Sequence, residues 1–209
     1  KHSFQKMNNF NNYKSQKIDT LINKIIQRRI NEQLNKDKVD FIAAGIYSQS
    51  ISDKDEYKIS IVSLNEKNIN NGITDFLRVI EQIKRYGFLE SELNLEKKKQ
   101  ILNLEQNIIE QKTRSSKSFV DEYTRHFTSD EMISGPEKEL DYTKDIYISI
   151  DVNDLNNYFK KYTSGKNQIL SIKAPDYIQD LPNENELKAL IAKIKKEKIK
   201  PYEFEIKKI

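Results

Sequence analysis

The sequence predicts an α+β domain: an antiparallel sheet with its helices packed on one face. Three observations carry that prediction. A long amphipathic helix opens the patterned part of the chain, and two alternating runs follow it closely enough to pair as a hairpin. A block of helical patterns then separates this hairpin from a late strand-like run.

Taken in order, residues 1–14 are polar and Asn-rich (Asn8-Asn9-Phe10-Asn11-Asn12-Tyr13) and read as a flexible entry segment. From Ser15 to Leu34, Ile18, Leu21, Ile22, Ile25, Ile26, Ile30 and Leu34 recur at three- and four-residue spacing, which puts one apolar stripe against a core. Asn35-Lys36-Asp37-Lys38 ends this helix. Val39 to Ser50 carries apolar residues on both faces, as a buried central strand does. A turn at Ser52-Asp53-Lys54-Asp55 leads to a second alternating run, Tyr57 to Ser63, so the pair reads as an antiparallel hairpin.

Asn68 to Tyr86 is helical by its stripe of Ile69, Ile73, Phe76, Leu77, Ile80 and Ile83, and Gly87 suits a left-handed C-terminal cap. Glu90-Ser91-Glu92 starts the next helix, with acidic residues at its positive end. That helix runs to a Ser115-Ser116 step, after which Ser116 to Thr128 forms a further helix. Gly135-Pro136 marks a loop, and Tyr142 to Ser149 is open between a short helix and an extended passage. Asp151 can cap a helix containing Val152, Leu155, Tyr158 and Phe159. Gly165-Lys166 is a turn, and Gln168 to Lys173 reads as a strand closed by Ala174-Pro175. A last helix spans Glu184 to about Lys198, and Tyr202 to Ile206 is extended within a Lys-rich tail.

Composition excludes much. The chain of 209 residues has no Cys, which removes thiol nucleophiles, disulfides and Cys-ligated zinc or iron–sulfur sites. Its charge is only +4 and its basic residues are nearly all Lys, with Arg confined to Arg28, Arg29, Arg78, Arg85, Arg114 and Arg125, so no nucleic-acid partner is expected. No apolar run is long enough for a membrane span. The chain opens at Lys1 without an initiator Met, as a piece of a longer protein would, so the compartment is not readable.

Chemistry-bearing residues are few. Only His2 and His126 are present, so no two imidazoles lie four residues apart, and there is no Gly-rich phosphate loop or nucleophile elbow. His126 reads as a boundary histidine on a helix, and Glu90/Glu92 and Asp130/Glu131 read as helix-start residues. No catalytic residue and no metal ligand is assigned. The one local feature with more content is Arg28-Arg29 at the end of the first helix. Two adjacent guanidinium groups there suit a carboxylate, a backbone carbonyl or an acidic side chain. Simple attraction to a helix C-terminus is the plainer and favoured account.

The order of these pieces resembles the pitrilysin/insulinase family of zinc metallopeptidases. The stretches that carry the likeness are Arg28 to Leu34 (RRINEQL), the strand DFIAAGIYSQS from Asp40, its partner YKISIVSL from Tyr57, and the link Arg85-Tyr86-Gly87-Phe88-Leu89-Glu90-Ser91-Glu92-Leu93. ISIDVNDLNNYFKKYTSGKNQILSIKAP and the closing PNENELKALIAKIKKEKIKPYEFE add to it, so the likeness runs over roughly residues 13–205. The family's zinc motif, H-x-x-E-H, is absent from this chain. The resemblance therefore implies a non-catalytic copy of the peptidase domain, most simply the second domain of the N-terminal half of a bacterial zinc metalloendopeptidase. Such a copy forms part of a substrate chamber, offers a sheet edge to an unfolded peptide, and packs on a catalytic domain of the same parent chain that holds the zinc. No cofactor is expected in this chain itself.

The resemblance also bears on the site. Arg29, Glu32 and Leu34 match the start of an Arg-x-x-Glu-x-Leu stretch with which some members hold substrate, but the Tyr that follows in those members falls on Lys36 here. Arg28, Arg29 and Glu32 are accordingly the candidates for a substrate or domain-interface role, and the departure at Lys36 favours the second domain over the last. The family's opening strand is expected to be missing. The implied division is an entry segment over 1–14, the peptidase-like domain over 15–180, and a helix with an extended linker toward a next domain over 181–209. Periplasmic or cell-envelope residence of the parent follows from the resemblance alone. The competing reading is a stand-alone helix-rich interaction module that binds an acidic partner through its Lys-rich faces.

Overall fold

In the computed structural model, residues 2–3, 10–36, 39–50, 55–113, 115–129, 133–164 and 168–204 are described. The expected turn at 52–54, the helix stop at 37–38, the turn at Gly165-Lys166, Asp130/Glu131 and the end of the final extended run at 205–206 fall outside them. The element order is β1 (His2–Ser3), α1 (Phe10–Asn35), β2 (Phe41–Ser50), β3 (Asp55–Leu64), α2 (Ile69–Tyr86), α3 (Glu90–Glu110), a 3-10 turn (Gln111–Thr113), α4 (Ser116–Ser129), α5 (Pro136–Ile148), α6 (Val152–Tyr162) and α7 (Glu184–Ile194).

α1 is the axle of the molecule. Leu21, Ile22, Ile25, Ile26 and Ile30 are wholly buried, and the helix packs against β2, α2, α3, α5 and α6. Its apolar stripe is wide because it meets helices on several sides as well as the sheet. The helix begins at Phe10, five residues before the expected start at Ser15. Tyr13 explains the extension: it packs against the core and lies under the Lys17 ammonium, which offsets the poor helix propensity of the neighbouring Asn residues.

β2 and β3 form the expected antiparallel hairpin, in register from Phe41↔Leu64 to Ser50↔Glu56, with an irregularity between Phe41 and Ala43. Ala44, Ile46, Val62 and Leu64 pack inward against the helices, whereas Tyr47 and Ile61 are exposed on the opposite side. Helices thus cover one face of the sheet, and the expectation of a buried central strand over Val39 to Ser50 is corrected: β2 is the edge strand, and Ile42 and Tyr47 on its outer face are exposed because no second layer of the described residues covers them. Ahead of α1, β1 adds a two-residue rung to the other edge of β3, through His2↔Glu56 and Ser3↔Asp55.

The uncertain passage before Ser149 resolves as α5. Gly135 at positive φ precedes Pro136 at the first helical position, and Leu140, Thr143, Ile146 and Tyr147 face the core. Asp151 caps α6 as expected, its carboxylate accepting from the Asp154 backbone N–H at 2.9 Å. The strand expected over Gln168 to Lys173 does not form. This stretch carries no regular secondary structure and joins no ladder, and Ile169 and Leu170 are exposed. A few β-prone residues raise the propensity, and only a neighbouring strand turns it into a strand. α7 stops at Ile194, four residues short of the expected end. Among the described residues no helix is long and apolar enough to cross a membrane.

The turn from α2 to α3 is the tightest constraint. Gly87 has φ 74° and ψ −163°, and its N–H bonds the Ile83 carbonyl at 2.8 Å. A Cβ there would meet the Asn156 side chain at 2.6 Å, and the Asn156 Oδ1 accepts from the Phe88 N–H at 3.0 Å. Gly87→Ala combines a backbone conformation that is essentially glycine-only with a steric clash. It is expected to cost about 1–3 kcal/mol, read as a lower urea midpoint with an unchanged slope.

Candidate functional site

The Arg pair lies where α1 passes the α2–α3 turn. Arg29 is 1% exposed and makes a two-pronged bond to Glu92, Nε to Oε1 at 2.8 Å and Nη2 to Oε2 at 2.5 Å. Its Nη2 also donates to the Gly87 carbonyl at 3.1 Å, at the C-terminal end of α2. Arg28 bonds Glu96 Oε1 through Nη1 at 2.9 Å and Glu92 Oε1 through Nη2 at 3.3 Å. Glu92 completes its set by accepting the Leu89 N–H at 2.9 Å, which caps α3. Its carboxylate therefore takes four donors from three residues, two on α1 and one at the start of α3, filling its lone-pair sites. Both Glu92 and Glu96 are buried.

Glu32 stands on the outer side of this cluster. Its Oε1 lies 3.9 Å from Arg28 Nε, and its Oε2 accepts from the Tyr202 hydroxyl at 2.5 Å. The Tyr202 ring covers the Arg29 guanidinium at 4.1 Å, and the Phe204 ring covers that of Arg28 at 4.7 Å. Burial first, and then the bond to Glu32, hold the Tyr202 hydroxyl well above the ordinary tyrosine range. Arg28, Arg29 and Glu32 are thus brought together, with Glu92, Glu96, Tyr202 and Phe204 completing the cluster. Beside it runs an open groove of about 400 Å³ between α1 and α3, lined among others by Lys24, Gln27, Arg28, Glu32, Glu96 and Lys99.

Glu92 was visible in the sequence only as a helix-start residue, and Tyr202 and Phe204 only as part of a Lys-rich tail. No local pattern joins residues so far apart. The signal that was available is combinatorial: an adjacent Arg pair in the last third of a helix with a buried face needs buried acceptors, and Glu92 and Glu96 are one helical turn apart in the first two turns of α3. His126 lies on α4, away from this cluster, and among the described residues no group of three or more His, Cys, Asp or Glu is placed to hold a metal ion.

A second polar cluster sits between the sheet and α1. The Lys58 ammonium pairs with Asp19 and also donates to Asn23 Oδ1 at 2.8 Å and Ser48 Oγ at 3.0 Å. The Ser48 hydroxyl donates to Asp19 Oδ2 at 2.6 Å. Ser48 thus stands between the Asp19 carboxylate and the Lys58 amine in one hydrogen-bonded set. Burial lowers the Lys58 pKa, against the attraction of Asp19. On the same rim, burial and then repulsion from Asp19 raise the Glu56 pKa above 4.5, while Lys58 and Lys161 oppose the rise. Burial also pushes the Tyr162 hydroxyl up to about 12.

The sign of the Glu56 effect follows from linkage. A raised folded-state pKa means that the folded chain holds this proton more tightly, so the contribution is full below about pH 4.5 and is lost as pH rises through the folded value. Glu56→Gln is expected to leave the thermal midpoint near that of the parent at about pH 4 and to raise it increasingly toward pH 7, as measured by unfolding scans across that range.

The fold as a whole is shared with parts of known proteases. Over 99% of its length the chain superposes on the periplasmic protease PqqL from Escherichia coli, with a TM-score of 0.84 and 13% identity, covering 23% of that chain. On the first half of the same E. coli protease it superposes over 97% of its length, covering 44% of that chain, with a TM-score of 0.83 and 13% identity. A predicted insulinase family protease from Yersinia pestis matches over 93% of this chain and 42% of its own, with a TM-score of 0.78 and 13% identity. No protein-family sequence profile matches the chain, and no curated protein is significantly similar to it. The chain spans less than half the length of each of these three solved chains. At such identity the likeness establishes the fold, the helix-rich α+β architecture found in insulinase-like, pitrilysin-like proteases.

Proposed function

We propose that this chain is a non-catalytic domain of a zinc metalloendopeptidase of the insulinase/pitrilysin type. The observation that carries the reading is the superposition of almost the entire chain on part of a protease, together with a sequence that lacks H-x-x-E-H. Within that reading it is the second domain of the N-terminal half. The fit to the first half of the E. coli protease supports this, because the half has room for one further domain of similar size, which would bring the zinc motif. The departure at Lys36 from the substrate-holding stretch supports it as well.

On this reading the domain works as chamber wall. It packs on the catalytic domain of the same parent, which supplies the zinc-activated water, and it presents the exposed side of the hairpin, with Tyr47 and Ile61, to an unfolded peptide. β2 is the outer strand of the hairpin, and main-chain bonding along such an edge gives affinity with little dependence on peptide sequence. Arg28, Arg29 and Glu32 then act from within, holding the α1–α3 junction that shapes the wall. A periplasmic or cell-envelope parent accords with the compartment of the E. coli protease.

The test separates the chain from its parent. The purified chain is expected to carry no stoichiometric zinc by elemental analysis and to leave an unfolded peptide uncleaved. Antibody raised against it should recover, from cells of its source, a larger polypeptide whose peptidase activity a chelator abolishes. Stoichiometric zinc or chelator-sensitive cleavage with the chain alone, or a recovered parent without such activity, overturns the proposal.

A further inference from the structure

The chain does not leave the domain after α7. It turns back and crosses α2 and α1. Arg85 donates to the carbonyls of Ile194 at 2.8 Å and Glu197 at 2.6 Å, and Arg78 Nε bonds the Glu197 carboxylate at 2.7 Å. Farther along, Tyr86 donates its hydroxyl proton to the Ile199 carbonyl at 2.7 Å and Gln82 bonds the Lys200 carbonyl at 2.8 Å. Tyr202 and Phe204 then seat on Arg29 and Arg28.

Two features distinguish this attachment from core packing. After Ile194 the segment adds no side chain to the buried core, so its hold consists of polar bonds and two ring-on-guanidinium contacts. Beneath the rings, Arg28 Nε and Arg29 Nη1 are buried without a hydrogen-bond partner. These two donors gain solvent when the rings lift, whereas the bonds of Arg29 and Arg28 to Glu92 and Glu96 do not involve the segment at all. Lifting it therefore exchanges contacts and leaves the core filled, which is the condition for local opening well below the global unfolding free energy.

We propose that residues 198–204 form a detachable latch, in which Tyr202 and Phe204 clip onto the Arg29 and Arg28 faces and Glu32 reads the Tyr202 hydroxyl. Closed, the latch ties the chain that follows Phe204 to the C-terminal part of α1. Open, the last fixed point is the grip of Arg78 and Arg85 on Glu197 and Ile194. Seven residues are then released, which lengthens the tether by up to roughly 23 Å at about 3.3 Å per residue. The latch thereby sets how far whatever follows can move relative to this domain. It does not depend on the parent being a protease.

The experiment is hydrogen exchange and limited trypsin digestion of the full chain under native conditions, since Lys198 lies within the latch and is followed by Ile199, whereas the Lys200–Pro201 bond resists trypsin. Tyr202→Ala with Phe204→Ala is expected to speed cleavage after Lys198 and exchange of the latch amides by about ten-fold or more. Protection of the α1 and α3 amides should stay as in the parent chain. Tyr202→Phe keeps the ring and loses the Glu32 bond, and Glu32→Gln weakens that bond from the other side. Each should produce a smaller acceleration confined to the same residues, and they serve if the double variant folds poorly. Unchanged cleavage and exchange in these variants, or loss of protection in α1 and α3 alongside the latch, overturns the proposal.

Discussion

A single buried carboxylate, that of Glu92, holds the junction on which the architecture depends. It caps α3 through the Leu89 N–H and receives both guanidinium groups of α1. Desolvating a carboxylate and two cations is expensive, and the arrangement is tolerable because every site on the carboxylate is filled and the Arg29 fork matches it in geometry. The link from Gly87 to Leu89 is correspondingly tight. Gly87 supplies the conformation that places its own carbonyl on Arg29, and Asn156 of α6 holds the next N–H. Three helices and a turn are therefore registered by bonds that allow little sliding, whereas the isoleucine stripe of α1 alone would tolerate several nearly equivalent packings.

This division of labour explains what the sequence could show. The α1 stripe, the hairpin, the Gly87 cap and the Asp151 cap are local, since each depends on spacing within a few residues. The early start of α1 at Phe10 and the full extent of α5 depended on packing of Tyr13 and Leu140 against residues distant in sequence. The run Gln168 to Lys173 failed as a strand because pairing is a property of two segments and its own pattern describes one. At the candidate site, Arg28, Arg29 and Glu32 were legible as an unusual pair with a nearby acid. Their acceptors lie more than sixty residues on and the aromatic covers about 170 residues on, which no window of local reasoning spans.

The likeness to protease domains at 13% identity belongs to the same logic. A fold of this kind is specified by where apolar stripes, caps and turns fall, and many sequences satisfy those requirements. Chemistry is specified by particular side chains at a site, and a shared fold does not carry them along. This chain keeps the architecture and lacks the H-x-x-E-H motif that performs catalysis in the family it resembles. What it does have is internal ion pairing, around Glu92 and around Asp19, which on the proposed reading stiffens a chamber wall.

The most direct measurement of this account is a double-mutant cycle between Arg29 and Glu92, with Arg29→Met, Glu92→Leu and the pair of changes followed by urea unfolding. The account predicts that each single change costs about 3–5 kcal/mol because it strands a buried charge. The double variant, which strands neither partner of the main pair, should lose much less than the sum, leaving a coupling of about 2 kcal/mol or more. Additive costs in the double variant, or single changes that cost less than about 1 kcal/mol, would contradict the claim that this pair holds the junction together.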